Sequence, residues 1–322
     1  MFQKEFVIRQ IDLEIAYGIT DFEITGGEPS ECENLEFYCK YIKEKLPSAK
    51  IAIITNGGIW KESDALWKLI DEVLVSYHSP KDDTLVNKNI FPFGTTYEKV
   101  RRTVEKAKLF NKIVRTNTVI GTFNIDILDK ITDDLVDFNP LIINFLPINL
   151  FDDANDMGNL IDYNKLRPII KKQIDKLEEK IHNALKCIRF MPYCDMEGYE
   201  KYIIDSWHHI FDWFDWNPEL CGYYLIEYLE KYKSNQDILD YLGKFGTRTY
   251  ERSYDCIEHH YEKSNKCTGC KYYLICDGME KTNNHHLLDQ IIPSKGRLIK
   301  NPMIFIGNII QKKYEEIYGL RK

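Results

Sequence analysis

The 322-residue sequence lacks long hydrophobic runs. No stretch reaches the roughly 18 to 20 consecutive apolar residues that a membrane helix needs. The first ten residues, MFQKEFVIRQ, also lack the apolar segment of a secretory signal peptide. We therefore expect a protein without a membrane anchor that works in the cytoplasm.

The sequence also lacks an excess of positive charge. Its formal net charge is −7, whereas a surface that coats nucleic acid needs a basic face. General nucleic-acid binding is therefore not expected. There is no low-complexity tract, and a hydrophobic content of 44% is typical of a folded chain rather than a disordered one.

The first half alternates between short apolar runs and helical patterns. The runs are rich in Ile and Val and predict buried strands at Asp21–Thr25, Ile51–Thr55, Glu72–Ser76, Ile113–Ile120 and Leu141–Leu146. Helices are predicted at residues 3–17, Asn34–Leu46, Lys61–Ile70, Thr96–Phe110, Asp126–Val136 and 164–185. Repeated strand–helix–strand units predict an α/β fold with a parallel sheet.

A glycine pair follows the first predicted strand, in the sequence DFEITGGEPS. Ligand sites in α/β folds form at the carboxyl ends of the strands. Gly26 and Gly27 let the backbone approach a ligand closely, and the Glu28 carboxylate suits an ammonium group. An ordinary tight turn is the alternative, because a glycine pair alone is weak evidence.

The turns after the next strands offer small polar groups, namely Thr55, Asn56, Ser76 and His78. His78 is expected to be an ordinary surface residue of its turn. Arg115 and Asn117 alternate within one strand, so their side chains lie on the same face. A buried Arg115 needs a carboxylate partner, which is either a substrate or Glu28.

Four cysteines near the C-terminus have the spacing of a metal site. They are Cys256, Cys267, Cys270 and Cys276, in the pattern C-x10-C-x2-C-x5-C. Four thiolates can hold a tetrahedral zinc ion or an iron–sulfur cluster. Nearby His259 and His260 favour zinc slightly, Cys194 competes as the fourth ligand, and buried free cysteines are the remaining alternative.

Together these motifs resemble the radical S-adenosylmethionine (SAM) enzymes. EITGGEPS resembles their GGEP motif, and IAIITNGG, LVSYHSP and RTNTVI resemble the strands that follow it. CTGCKYYLICDG resembles the auxiliary-cluster motif of the subgroup with a SPASM or twitch domain. The resemblance covers residues 1–150 and 256–280.

The resemblance implies a partial (βα)6 barrel over residues 1–186. An aromatic-rich connecting region would follow at residues 187–255, and a cysteine-rich region with a C-terminal helix at residues 256–322. SAM would be bound by Gly26, Gly27, Glu28, Asn56, Ser76 and Asn117, with Arg115 as a further candidate. An auxiliary [4Fe–4S] cluster, with zinc as the alternative, would be held by Cys256, Cys267, Cys270 and Cys276.

The implied activity is reductive cleavage of SAM to a 5′-deoxyadenosyl radical that acts on a substrate at the barrel mouth. Relatives of this subgroup point to a peptide or protein substrate. They also point to a reducing partner such as a flavodoxin or ferredoxin. The resemblance assigns no catalytic residue to a position in this sequence.

One defining motif of that family is missing. Its Cys-x3-Cys-x2-Cys triad is absent, and Cys32 and Cys39 follow the glycine turn on a helical stretch, where they cannot replace it. Residues 3–17 correspond to the helix after the triad, so we expect a barrel without its first strand. A truncated chain that is inactive alone is one interpretation. A cluster-free scaffold or a zinc-binding interaction protein is the alternative.

Overall fold

A computed structural model describes residues 4–16, 19–82, 96–148, 158–205, 261–276, 278–280, 290–300 and 303–306. The helices are α1 (Lys4–Ala16), α2 (Leu35–Lys45), α3 (Asp64–Leu69), α4 (Tyr97–Leu109), α5 (Leu128–Phe138), α6 (Tyr163–Lys180) and α7 (Met303–Ile306). The strands are β1 (Asp21–Ile24), β2 (Lys50–Thr55), β3 (Glu72–Ser76), β4 (Ile113–Ile120), β5 (Ile142–Pro147), β6 (Leu185–Arg189), β7 (Ile203–Asp205), β8 (Tyr261–Glu262) and β9 (Met279–Glu280).

Strands β1 to β7 follow one another in the sheet in the order of the chain. The pairs β1–β2, β2–β3, β3–β4 and β6–β7 are parallel. Among the described residues, a helix lies between each strand and the next from β1 to β6, as parallel βαβ units require. The predicted α/β fold with the strand arrangement of a partial barrel is therefore confirmed.

The described residues divide into two compact units. The first contains residues up to 118 together with 129–143, and the second contains 119–128, 144–205 and the described residues from 261 onward. β8 and β9 form a separate antiparallel pair in the second unit.

The sheet of the first unit has one apolar face and one mixed face. Ile51, Ile53, Val73 and Val75 are fully buried on the apolar face. Burial of each such side chain stabilises the fold by about 1.5–3 kcal/mol. The other face is built from the alternate residues, because side chains of a strand alternate between faces. It is this face that carries the charged residues of β1, β3 and β4, together with Ser76 and Asn117.

Helix α4 begins at a capping residue and buries one apolar face. Thr96 is the N-cap, and its side chain accepts a hydrogen bond from the Lys99 backbone N–H at 3.3 Å. Val100, Val104 and Ala107 are buried at helical spacing. The predicted helix at Thr96–Phe110 is confirmed to within one residue.

The end of α6 was predicted wrongly. The helix ends at Lys180 instead of continuing to residue 185, and Leu185–Arg189 is strand β6. Cys187 and Ile188 of this strand are fully buried. A short apolar run next to a helix has no periodicity of its own that separates strand from helix. The three-residue strand β7 was not predicted, for the same reason.

Several predictions lie outside the described residues. They are the part of the aromatic-rich region from residue 206 to residue 255, Cys256, His259, His260 and the C-terminal helix beyond residue 306. Among the helices that the structure describes, none is long and apolar enough to cross a membrane.

Candidate functional site

The glycine turn after β1 leaves its backbone open. Gly26 has a φ of +95° and Gly27 a φ of +56°, both in the left-handed region that favours glycine. Both residues are exposed. A Cβ atom added at either position would meet no atom within 4 Å. The main-chain groups of this turn therefore face a space that a ligand can enter.

Glu28 fixes the shape of this turn. Its Oε1 accepts hydrogen bonds from the Ser30 hydroxyl at 2.8 Å, the Ser30 backbone N–H at 3.2 Å and the Thr55 hydroxyl at 2.6 Å. Its Oε2 accepts one from the Asn56 backbone N–H at 2.7 Å. The carboxylate thereby joins the turn after β1 to the turn after β2. Direct contact between Glu28 and a ligand ammonium group stays a prediction.

The second turn is organised by its own side chains. Thr55 Oγ1 accepts a hydrogen bond from the Gly57 N–H at 3.1 Å, and Asn56 Oδ1 accepts one from the Gly58 N–H at 3.0 Å. Gly57 has a φ of +91°, and a Cβ there would lie 3.2 Å from the backbone of Lys99. Asn56 is thus held at the end of β2 beside the Glu28 carboxylate.

Ser76 ends β3, and Asn117 lies beside it within β4. They are register partners in β3 and β4, so their side chains lie on the same face of the sheet. The Tyr77 backbone N–H donates to the Asn117 carbonyl at 2.8 Å. The parallel pairing brings together the ends of β1 to β4, as the sequence predicted, and with them the candidate SAM-binding residues.

Arg115 lies on the same face as Asn117 but is engaged within the sheet. Its Nη2 lies 2.8 Å from Glu23 Oε1, and its Nε lies 2.7 Å from Glu72 Oε1. The partners of Arg115 are thus Glu23 and Glu72 rather than Glu28. The register places Ala52 between these two acids, and its small side chain leaves room for the guanidinium to reach both.

His78 is buried, whereas the sequence indicated a surface position. Only 4% of the residue is exposed. Burial lowers its pKa to about 4, because the charged imidazolium is disfavoured away from water. The neighbouring Tyr77 is also buried and donates a hydrogen bond to Asp134 Oδ2 at 2.6 Å. His78 is therefore a neutral core residue just beyond β3.

The second unit contains the cysteine loop, defined here as residues 264–276. Ser264 caps the 3-10 helix Asn265–Gly269, and the Cys270 N–H donates to the Cys267 carbonyl at 2.9 Å. This tight turn brings the two thiols of the C-x2-C pair to one side. Cys267 and Cys270 are buried, and Cys276 is half-buried.

Cys194 belongs to a second loop that is held against the cysteine loop. The ring of Tyr193 stacks on Tyr272 with centroids 5.5 Å apart. The Tyr272 hydroxyl donates to Glu200. Burial raises the pKa of the Cys194 thiol, and the charges of Asp195, Cys276, Cys270 and Cys267 raise it further. The stacked rings hold the loop that carries Cys194 against the cysteine loop.

A buried ion pair supports the loop that carries Cys194. Arg167 Nε lies 2.5 Å from Asp195 Oδ1, and Arg167 Nη2 donates to the Gln290 carbonyl at 2.8 Å. Asp195 is 1% exposed, and burial raises its pKa to about 6 against the opposing charge of Arg167. This pair joins α6 to the loop and was not predicted from the sequence.

The four thiols do not form a finished metal site in this conformation. All seven described cysteines are free thiols. Within the described part of the chain, no three His, Cys, Asp or Glu side chains are already arranged to hold a metal ion. The donor chemistry nevertheless fits zinc or an iron–sulfur cluster, since ligand side chains commonly adjust when the metal binds.

Comparison with protein families settles the class of the first unit. Residues 2–137 match the family model of the radical SAM superfamily. They form a radical SAM domain. The match contains the glycine turn, the Asn56 turn, Ser76 and Asn117, which are the residues that the fold brings together. No curated protein matches the sequence.

Two solved structures of anSMEcpe share the fold of this chain. Native anSMEcpe with bound AdoMet and Cp18Cys peptide is 13% identical, with a TM-score of 0.55 over 99% of this chain and 92% of that one. The complex of anSMEcpe with Kp18Cys peptide gives a TM-score of 0.52. Streptococcus suis SuiB is 15% identical with a TM-score of 0.42, and the match spans 54% of this chain and 40% of SuiB. At these identities the likeness to anSMEcpe shows the fold alone.

Proposed function

We propose that the radical SAM domain of this chain binds SAM at the carboxyl ends of β1 to β4. The observation that carries the proposal is the open glycine turn at Gly26 and Gly27, with its positive φ angles and free space. Backbone that is exposed, open and held in place by Glu28 is suited to hold the amino-acid part of the ligand. Preorganised contacts of this kind reduce the entropy lost on binding.

The remaining candidates have complementary roles in this proposal. Asn56, Ser76 and Asn117 supply neutral hydrogen-bonding groups for the ribose and the carboxylate. Arg115 is paired with two carboxylates of its own chain, Glu23 and Glu72. Its guanidinium group is therefore occupied within the sheet. We therefore place Arg115 as a supporting residue and keep the direct contacts for the other three.

SAM beside a reduced [4Fe–4S] cluster supplies methionine and a 5′-deoxyadenosyl radical after transfer of one electron. The residues of this chain would orient SAM and keep water from it. The Cys-x3-Cys-x2-Cys motif for that cluster is absent from the 322 residues. We therefore expect the chain tested alone to bind SAM without forming 5′-deoxyadenosine.

The cysteine loop is proposed to hold an auxiliary [4Fe–4S] cluster of the SPASM or twitch type. Cys267, Cys270 and Cys276 supply three thiolates, and Cys256 or Cys194 supplies the fourth. The contacts between the Cys194 loop and the cysteine loop support Cys194. A set of thiolates alone also accepts zinc, so zinc is the competing occupant.

A peptide is the proposed substrate class. One solved anSMEcpe structure holds Cp18Cys peptide together with AdoMet, and one SuiB structure holds its precursor peptide SuiA. These complexes support a peptide for this chain by analogy of fold, which is an association rather than a mechanism.

Isothermal titration calorimetry with SAM tests the proposal directly. The proposal expects binding of SAM by the full chain and much weaker binding of methionine or adenosine alone. Iron, sulfide and zinc are then measured after anaerobic reconstitution of the chain and of its Cys267→Ser/Cys270→Ser variant. Absence of SAM binding would favour the scaffold alternative. Tightly held zinc without iron would favour the interaction-protein alternative.

A further inference from the structure

Gly57, in the turn after β2, is held from two sides by buried threonine hydroxyls. Thr55 lies two residues earlier, and its Oγ1 accepts a hydrogen bond from the Gly57 N–H at 3.1 Å. Thr103 lies in α4, and its hydroxyl donates to the Gly57 carbonyl at 2.7 Å. Thr55 is 2% exposed and Thr103 is fully buried. We call this pair of hydroxyls the threonine clamp.

The threonine clamp uses the hydroxyl of Thr103 outside its own helix. A helical threonine can donate to the carbonyl four residues earlier, but a hydroxyl has only one hydrogen to donate. In α4 that hydrogen goes to Gly57, which is 46 residues away in the chain. The backbones of Lys99 and Val100 are also close, since a Cβ at Gly57 would lie 3.2 Å from each of them. Helix α4 is thereby fixed to the turn.

Thr55 also joins the threonine clamp to the glycine turn after β1. Its hydroxyl donates to Glu28 Oε1 at 2.6 Å, while its oxygen accepts from the Gly57 N–H. Among the described residues, Glu28 Oε1 accepts three hydrogen bonds and Oε2 accepts one, from the Asn56 N–H. A carboxylate has about four acceptor sites over its two oxygens. Oε1 is therefore filled by its own chain, whereas Oε2 keeps acceptor capacity for a ligand.

Asn56 lies between these fixed groups. Its N–H donates to Glu28 Oε2 at 2.7 Å, and its Oδ1 accepts a hydrogen bond from the Gly58 N–H at 3.0 Å. A change in its backbone orientation would break these bonds or those of Gly57. Buried polar groups that are all paired with one another fix a single conformation. The threonine clamp therefore sets the orientation in which Asn56 is presented.

We infer that Thr55 and Thr103 are positioning residues for ligand binding at the ends of β1 and β2, and that Thr55 also determines selectivity for the amino group of the ligand. The inference rests on the proposed function, because it assigns to the threonine clamp the orientation of Asn56 and of Glu28 Oε2 toward SAM. Thr103 acts on Asn56 alone, through Gly57. Thr55 acts on both Asn56 and Glu28, so the effects of the two threonines are separable.

Calorimetry on the full chain, with SAM and with SAM lacking its α-amino group, separates the two roles. We expect Thr103→Val to weaken the binding of both ligands equally, by at least about threefold. We expect Thr55→Val to weaken SAM at least about tenfold and the analogue less, so that the ratio of the two affinities falls at least about threefold. Thr55→Ser and Thr103→Ser keep each hydroxyl, and both should stay within about twofold of the unaltered chain.

Thr118→Val is the matched control for loss of a buried threonine hydroxyl. Thr118 is fully buried in β4, and its Oγ1 has no hydrogen-bond partner among the described residues. Its side chain lies on the face of the sheet opposite to that of Asn117. The control should bind both ligands within about twofold of the unaltered chain. The inference would be overturned by equal losses in Thr118→Val and Thr55→Val, or by an unchanged ratio of affinities in Thr55→Val.

Amide hydrogen exchange without ligand distinguishes this inference from the proposed function. Failure of the unaltered chain to bind SAM would contradict the proposed function, and exchange at Asn56 and Gly57 would still test the threonine clamp. We expect both amides to exchange at least about tenfold faster in Thr55→Val than in Thr55→Ser. Equal exchange in these two variants would overturn the inference. Thr103→Val against Thr103→Ser gives the same test if Thr55→Val does not fold.

Discussion

Replacement of Glu28 by Gln tests whether this carboxylate holds the two turns together. A glutamine has one acceptor oxygen and one NH2 group. If the oxygen faces the hydroxyls of Ser30 and Thr55, the NH2 group meets the Asn56 N–H, which now lies 2.7 Å from Oε2. If the amide is flipped, the NH2 group meets the Ser30 N–H, now 3.2 Å from Oε1. Either orientation leaves one backbone donor without its acceptor.

The expected cost follows from that lost partner. An unsatisfied donor costs about 1–3 kcal/mol, and the remaining bonds lose the assistance of the negative charge. Because the site is half-buried, we expect Glu28→Gln to lower the free energy of unfolding by about 2 kcal/mol. Urea unfolding followed by circular dichroism measures this change.

Glu33→Gln is the matched control. Glu33 is exposed five residues later, and its replacement is expected to change stability by less than about 0.5 kcal/mol. If Glu28→Gln were as stable as this control but bound SAM more weakly, the carboxylate would be a ligand contact. That result would refute its assignment as the connection between the turns.

Two further predictions concern buried titratable groups. The pKa of His78 is lowered to about 4 in the folded chain, whereas an unfolded histidine has a pKa of about 6.5. Between about pH 4 and about pH 6.5 the imidazole is therefore protonated in the unfolded chain but neutral in the folded chain. Stability should fall as the pH is lowered from about 6.5 to about 4, by at most about 3 kcal/mol. His78→Gln should flatten that profile in urea unfolding, whereas replacement of the exposed His182 should not. Arg167→Met leaves Asp195 buried without its cation and should cost about 3 kcal/mol, and Arg167→Met/Asp195→Leu should recover most of it. If Arg167→Met were as stable as the unaltered chain, the stabilising role of this ion pair would be contradicted.

The strands of the first unit were predictable because their apolar runs and the turn residues that bound them indicate the same limits. Runs of Ile and Val bounded by Gly, Pro and Asn placed β1 to β5 within one or two residues of their observed limits. The shared edge of Gly26, Asn56, Ser76 and Asn117 then followed from parallel pairing alone. The observed fold therefore places these residues along one edge of the sheet, and their contact with SAM stays a prediction.

Interactions that depend on register were not predictable in the same way. The approach of Arg115 to Glu23 and Glu72 needs four strands in register and a small residue at Ala52 between the acids. The only signal in the sequence was an acid within each of two apolar strands. The inward orientation of Glu28 likewise depends on Thr55, which is distant in the chain.

The second unit was less predictable because its structure rests on contacts between loops. Apolar periodicity failed at β6, where a buried strand begins five residues after a helix. The proximity of Cys194 to the cysteine loop depends on the stacking of Tyr193 with Tyr272 and on the Arg167–Asp195 pair. Cys256, which the sequence pattern favoured as fourth ligand, lies outside the described residues.

Calorimetric titration of SAM into Gly27→Ala tests the central claim most directly. The new methyl group would enter the open space beside the turn, and the left-handed backbone should cost only about 1–2 kcal/mol of stability. Gly198→Ala is the matched control, with a φ of +85° and no atom within 4 Å of the added Cβ. The account predicts SAM binding by the unaltered chain and by Gly198→Ala, and at least about tenfold weaker binding by Gly27→Ala. Unchanged SAM affinity in Gly27→Ala would contradict it.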